Sequence, residues 1–279
     1  MQRSITRKSI NAYKQYLFAA EKAKATVTKY INEAERLAEY LNGNPLNKRA
    51  LLEYRETLAE NFSSRTVNTK LAAINGYLSF IGADEYKVHL LKVQRKAFIA
   101  ENRELSAAEY KQLVNAADAS GNDRLSLVMQ TICATGIRIS ELSYITVDAV
   151  KERSMEIRLK GKSRTVIIPS KLCKKLVEYA RRQRIDTGAV FRTKGGKPLD
   201  RANVCHDMKR LCDAAHVERS KVFPHNLRHL FARAFYSIEK NLSHLADVLG
   251  HSSIETTRIY VAASSRQYER MLDKMKLIT

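Results

Sequence analysis

The sequence predicts a mainly α fold in two domains, broken by one small β-hairpin. Three observations predict it: apolar residues recur every three or four positions along most of the chain, strict alternation occurs in one short stretch, and the helical pattern loosens and restarts near residue 100. A length of 279 residues fits two domains at a prior of ~150 residues each. Each is large enough to bury a core without disulfides.

The first ninety residues read as helices. In "ATVTKYINEAERLAEYLNG", Val27, Tyr30, Ile31, Ala34, Leu37, Ala38 and Leu41 form a stripe, and Gly43 supplies the stop. "NKRALLEYRETLAEN" repeats the pattern. In "SSRTVNTKLAAINGYLSFIG", Ser64 is the expected N-cap, Val67, Leu71, Ile74 and Leu78 make the stripe, and Gly82 ends it. Residues 86–104 carry five basic residues and no clear stop, so they read as a linker. "SAAE" (Ser106 to Glu109) is a capping-box signature that restarts helix, and the domain boundary falls near residue 100. The domains are therefore expected at 1–99 and 100–279. Within the second, "MEIRLKGKSRTVIIP" alternates as a β-hairpin should, with Ile157 and Leu159 before the turn, Val166 and Ile168 after it, and Pro169 closing it. Lys160, Lys162 and Arg164 would make this hairpin a basic finger, suited to probing a groove or a phosphate.

Charge narrows the partners. Lys and Arg number 49 against 29 Asp and Glu, a net +20, divided as +8 over residues 1–100 and +12 over the rest. Both parts are basic, so a polyanion touching both is expected, and nucleic acid is the commonest. The charge is not gathered on one terminal amphipathic helix, which argues against a membrane surface. No apolar run approaches the ~20 residues of a membrane span, and "MQRSITRKSINAYKQ" lacks a signal's apolar core, so a cytoplasmic protein is expected. Cys133, Cys173, Cys205 and Cys212 have no CxxC spacing and read as reduced thiols. Cys205, His206, Cys212 and His216 match no common zinc pattern, and His225 with His229 lack a metalloprotease's acidic base.

Three places concentrate unusual polar residues. "ATGIRISEL" puts Arg138 past a Thr-Gly break at the opening of a short helix, beside free backbone donors suited to anions. "FPHNLRHLFA" places His225 and Arg228 three apart on one helical face after Pro224. "LGHSSIETTRIYV" brings His251 and Tyr260 together near the end of the chain, with Arg258 between them as a helix-surface or DNA-backbone residue.

The ordered set "ATGIRISEL", "KGKSRTVIIP", "PHNLRH" and "LGHSSIETTRIY" resembles the tyrosine recombinases, the phage-integrase and Xer-type family, over roughly residues 100–265. "TVNTKLAAINGYLSF" is similar to the family's core-binding domain. The resemblance implies a helical, SAM-like core-binding domain followed by an α+β catalytic domain. It implies that Arg138 and Arg228 are the arginine pair, His225 the HxxR histidine, His251 a histidine that other members replace with tryptophan, and Tyr260 the nucleophile. Lys160 best matches the hairpin lysine and Lys162 is the second choice. Glu141 matches an acidic position supporting the first arginine. "VAAS" follows Tyr260 where many members carry a Thr-His pair. Double-stranded DNA is the implied partner, clamped between the domains, with four protomers on two sites. Accessory DNA-bending proteins fit the same system. The terminal stretch "SSRQYERMLDKMKLIT" is amphipathic and, by the same resemblance, packs on a neighbouring protomer.

The chemistry agrees. A phenol with a pKa near ~10 attacks an anionic phosphodiester only if the charge is neutralised and the proton removed. Two guanidiniums can neutralise the phosphate, His225 can take the proton, His251 can add a donor, and Lys160 can protonate the departing 5′-oxygen. Capture of the 3′-phosphate on tyrosine conserves the bond energy, so neither ATP, nor a metal, nor any other cofactor is expected. Two rivals remain: a non-catalytic DNA-binding regulator, and a type IB topoisomerase-like enzyme that relaxes DNA without exchanging partners.

Overall fold

The computed structural model describes residues 5–93, 104–159, 162–193, 195–261 and 273–275. They form two compact units, residues 1–95 and 96–279. The break falls a few residues before the expected boundary.

The first unit contains α1 (Arg7–Ala19), α2 (Lys24–Leu41), α3 (Lys48–Asn61) and α4 (Ser64–Phe80). Its stripes face inward as the spacing predicts: Val27, Ile31, Ala34, Leu37 and Leu41 of α2 are buried, as are Val67, Leu71, Ile74 and Leu78 of α4. Two boundaries shift by one residue. Ser63, not Ser64, caps α4 by accepting from the Thr66 N–H, and Asn42, in left-handed conformation, ends α2 just before Gly43. A serine pair offers two candidate caps, and the backbone path selects the one with extended φ and ψ.

The expected linker does not begin at residue 86. The amide of Asn75 donates to the Val88 carbonyl and accepts from its N–H, and Asn68 does the same with Leu91. Two side-chain amides on α4 thus act as strand partners for an extended segment, whose Val88 enters the core. Residues 87–91 belong to the first unit. The remaining part of the expected linker, from residue 94 to 103, lies outside the described residues.

The second unit begins with α5 (Ala107–Ala119), opened by the capping box of Ser106 and Glu109. Next come α6 (Asp123–Thr135), a 3-10 turn (Ile139–Tyr144) and α7 (Val147–Glu152). A hairpin, β1 (Ser154–Leu159) and β2 (Lys162–Ile167), pairs antiparallel with Met155 opposite Val166 and Ile157 opposite Arg164. Its buried residues, Met155, Ile157, Val166 and Ile168, join the main core. Six helices complete the unit: α8 (Ser170–Arg182), α9 (Arg201–Arg210), α10 (Cys212–Ala215), α11 (Pro224–Ile238), α12 (Leu242–Leu249) and α13 (Ile254–Val261). The central helix α6, which buries Leu125, Leu127, Val128, Met129 and Ile132 along with Ser126, Thr131 and Thr135, packs against α5, α8 and α11. A smaller core of Ala232, Leu245, Leu249 and Tyr260 joins α11, α12 and α13. No helix among the described residues is long and apolar enough to cross a membrane.

Candidate active site

Two helix ends and one helix start meet in the second unit. Gly136 ends α6 at φ +65°, where a side chain would be strained, and a Cβ there would lie 2.4 Å from the Phe231 ring. Gly250 ends α12 at φ +64°, and a Cβ there would lie 2.4 Å from Arg164 Nη1. Glycine therefore lets both helix termini approach α11 and the hairpin. Pro224 occupies the first turn of α11, where its missing N–H costs nothing, and the helix carries His225 and Arg228 inward.

Arg228 is 1% exposed and spans both helix ends. Nη1 donates to the Gly136 carbonyl at 2.5 Å and Nη2 to the Leu249 carbonyl at 2.7 Å, the negative ends of two helix dipoles. Burial, and then the nearby Arg138, lower its pKa to about 10, which leaves it charged at neutral pH. Nη2 also meets His251 Nε2 at 2.9 Å.

Arg138 is held differently. It caps the 3-10 turn, and its N–H donates to Glu141 Oε2 at 2.7 Å while its Nη1 donates to Oε1 at 3.0 Å. The backbone donor expected to be free for an anion is therefore occupied by Glu141. The guanidinium keeps 39% of its side chain exposed and reaches the Gly250 carbonyl at 3.4 Å. Glu141 is 0% exposed. Burial alone would raise its pKa, but the Arg138 N–H and the guanidiniums of Arg164 and Arg138 bring it below the ordinary value.

Arg164 corrects the picture of a basic finger. It points back from β2 to Glu141, with Nη2 at 2.7 Å from Oε2 and Nη1 at 3.3 Å from Oε1. Only a carboxylate buried on the neighbouring turn could draw it in, and that partner lies outside the hairpin's own sequence. Lys160 lies outside the described residues, and for Lys162 the structure describes the backbone at the start of β2.

Tyr260 projects from α13 into the same place and is 4% exposed. Its hydroxyl lies 3.4 Å from His225 Nε2. The His251 ring stacks on the phenol at 5.4 Å between centroids and 15° between planes. His229, one helical turn beyond His225, meets it edge to face at 4.3 Å. Burial is the first cause that lowers all three imidazoles, followed by Arg228 for His225 and His251 and by His225 for His229. His251 falls to about 4 and His229 to about 3, so both rings are neutral at pH 7. A neutral His225 is competent to accept the phenolic proton.

The structure thus brings Arg138, His225, Arg228, His251 and Tyr260 together. It also adds Arg164, His229 and Thr257, which the sequence reading did not select. Thr257 lies in "ETTR" and is fully buried against His251. Its one sequence signal is that it stands three residues before Tyr260, on the same helical face. Arg258 pairs with Glu255 at 3.0 Å on the exposed side of α13, as a surface residue would. All four cysteines are free thiols.

Guanidiniums, neutral imidazoles and a phenol thus converge in a basic, mainly helical chain. The chain belongs to the phage integrase family, whose sequence model matches residues 103–267. It is similar to the tyrosine recombinase XerH of Campylobacter jejuni, 30% identical over 279 residues that cover 90% of this chain and 77% of that one. Two solved structures share the fold. One is XerH site-specific recombinase bound to palindromic difH substrate in a post-cleavage complex, with a TM-score of 0.71 and 22% identity over 88% of this chain and 78% of that one. The other is a lambda integrase tetramer bound to a Holliday junction, with a TM-score of 0.71 and 16% identity over 91% and 76%. The chain is a tyrosine-type site-specific DNA recombinase. The readings as a regulator or a relaxing enzyme are not favoured.

Proposed function

We propose that Tyr260 attacks the scissile phosphodiester and holds the 3′-phosphate covalently until a second strand's 5′-hydroxyl displaces it. The observation that carries this reading is the gathering around Tyr260 of His225, Arg228 and His251, with Arg138 beside them at the Gly250 carbonyl, drawn from three separate stretches of the chain. Arg138 presents its exposed guanidinium to an arriving phosphate, and Arg228 adds a second fixed charge. Both strengthen as charge builds on the non-bridging oxygens, which lowers the barrier more than it tightens ground-state binding. His225 takes the phenolic proton, and the 3.4 Å separation closes as the phosphate orders the site. His251 contacts the same phosphate. Lys160 protonates the leaving 5′-oxygen, a role that rests on the resemblance and on its place in sequence between β1 and β2.

Residues 1–95 and 96–279 then divide the work into a core-binding unit and a catalytic unit, both basic, with most contacts falling on phosphates. The lambda integrase tetramer on a Holliday junction supports four protomers acting on two duplex sites. The outcome of such an exchange is integration, excision, inversion or dimer resolution, according to how the two sites are placed. The protomer-exchange role expected of residues 265–279 falls outside the described residues, except for 273–275.

The experiment starts from the duplex sequence that the wild-type chain enriches from a random library. A nicked version of that duplex traps cleavage, because the fragment bearing the 5′-hydroxyl diffuses away. The wild-type chain is expected to give a covalent protein–DNA band on denaturing electrophoresis, and Tyr260→Phe is expected to bind the duplex and give none. A band that persists in Tyr260→Phe overturns the assignment, as does its absence from wild type on the enriched site.

A further inference from the structure

We propose that Thr257 is the positioning residue that lets His251 switch its hydrogen-bonding role when the phosphate arrives. Arg228 Nη2 lies 2.9 Å from His251 Nε2. A guanidinium has donors only, so Nε2 is the acceptor and the ring proton sits on Nδ1. Nδ1 in turn lies 2.8 Å from Thr257 Oγ1 and donates to it. Thr257 is fully buried, so this hydroxyl is the ring's partner in place of bulk water.

A bound phosphodiester makes the opposite demand. Toward an anionic oxygen Nε2 must donate, so it must carry a proton. The ring either exchanges with solvent, losing Nδ1–H and gaining Nε2–H, or takes up one proton and carries both. In the first case Nδ1 needs a donor, and in the second it still needs an acceptor. A hydroxyl serves both by rotating about its Cβ–Oγ1 bond, whereas a carboxylate only accepts and an ammonium only donates. Thr257 therefore keeps the imidazole plane fixed, stacked on Tyr260, through every protonation state. The inference rests on the reading of His251 as a phosphate contact.

The test compares Thr257→Val, which keeps the shape and removes the hydroxyl, with Thr257→Ser, which keeps the hydroxyl. Single-turnover formation of the covalent complex on the nicked duplex is measured beside duplex affinity. Thr257→Val is expected to slow covalent capture about tenfold to a hundredfold, the effect of one buried imidazole nitrogen left unpaired. Its duplex affinity stays unchanged, and Thr257→Ser restores the rate. Nitrogen-15 NMR of wild type is expected to show the His251 proton on Nδ1 without duplex and on Nε2, or on both nitrogens, with it. The proposal is overturned if Thr257→Val captures at the wild-type rate, if Thr257→Ser fails to restore it, or if the ring proton already sits on Nε2 without duplex. The last measurement needs no variant, so a misfolded Thr257→Val leaves it decisive. Failure of the catalytic reading would show separately, as a covalent band from Tyr260→Phe.

Discussion

Glu33 in the first unit and Glu141 in the second are both buried carboxylates, and each is met by two cations. Glu33 takes Lys70 at 2.8 and 3.0 Å and Arg36 at 3.1 Å, which pins α4 to α2. Lys70 is itself buried and sits over the Phe62 ring, so its charge is fully committed inside the unit. Glu141 takes Arg164, Arg138 and the Arg138 N–H. There the inner guanidinium holds the carboxylate while the outer one keeps part of its surface toward solvent. Exposure does not separate the two clusters, since Arg36 keeps 55% of its side chain exposed and Arg138 39%; they differ in that Arg36 stays beside Glu33 on α2 while Arg138 reaches across to the Gly250 carbonyl, next to His251. A buried ion pair says little about function until the surroundings of its outer cation are known.

Removing the second carboxylate's charge should have the largest effect. Glu141→Gln leaves two guanidiniums against one neutral amide, with an expected loss of about 3–5 kcal/mol of stability by denaturant unfolding. Covalent capture should be lost with it, because Arg138 is no longer held. Retained capture at wild-type rate would erase the distinction between the two carboxylates.

Breaking the first pair should cost somewhat less. Lys70→Met is expected to destabilise by about 3 kcal/mol, the low end for a broken buried pair because Arg36 still meets Glu33. Adding Glu33→Leu should recover most of that loss and leave capture on the nicked duplex intact. Capture that fails in a double variant of wild-type stability would show that the first pair is also functional.

Acid should separate the units more gently. Folded pKa values of about 4 for His251 and about 3 for His229 lie below the ~6.5 of an unfolded histidine, so acidification favours the unfolded state. The stabilisation is full above about pH 6.5 and declines as pH falls toward those folded values, by roughly 2 kcal/mol for each histidine at pH 5. Amide hydrogen exchange at pH 7 and pH 5 is expected to show the loss in α11, α12 and α13. The first unit contains one histidine, His89, against six beyond it. Equal loss in both units would break the comparison.

Much of the fold was legible because its signals are local. The stripes of α2 and α4, the capping box at Ser106 and the alternation of the hairpin all follow from neighbours within four residues. The motif residues were legible as a set, through their order and resemblance. Asn68 and Asn75 were not, because an asparagine on a helix face gives no sign that it will strap an extended segment 13 or 23 residues away. Arg164 read as part of an outward basic finger for the same reason, since its partner Glu141 lies 23 residues away.

The sequence by itself determined the helical class, the hairpin, the basic character and the identities of the residues able to do phosphoryl chemistry. These depend on periodicity, capping and side-chain type, which short stretches of chain already contain. The tertiary structure decided which cation is buried and which is exposed, which nitrogen of His251 bears its proton, and which rings enclose Tyr260. Those choices depend on burial and on partners distant in sequence, such as Gly136 and Leu249 around Arg228, and they exist only once the helix ends have met.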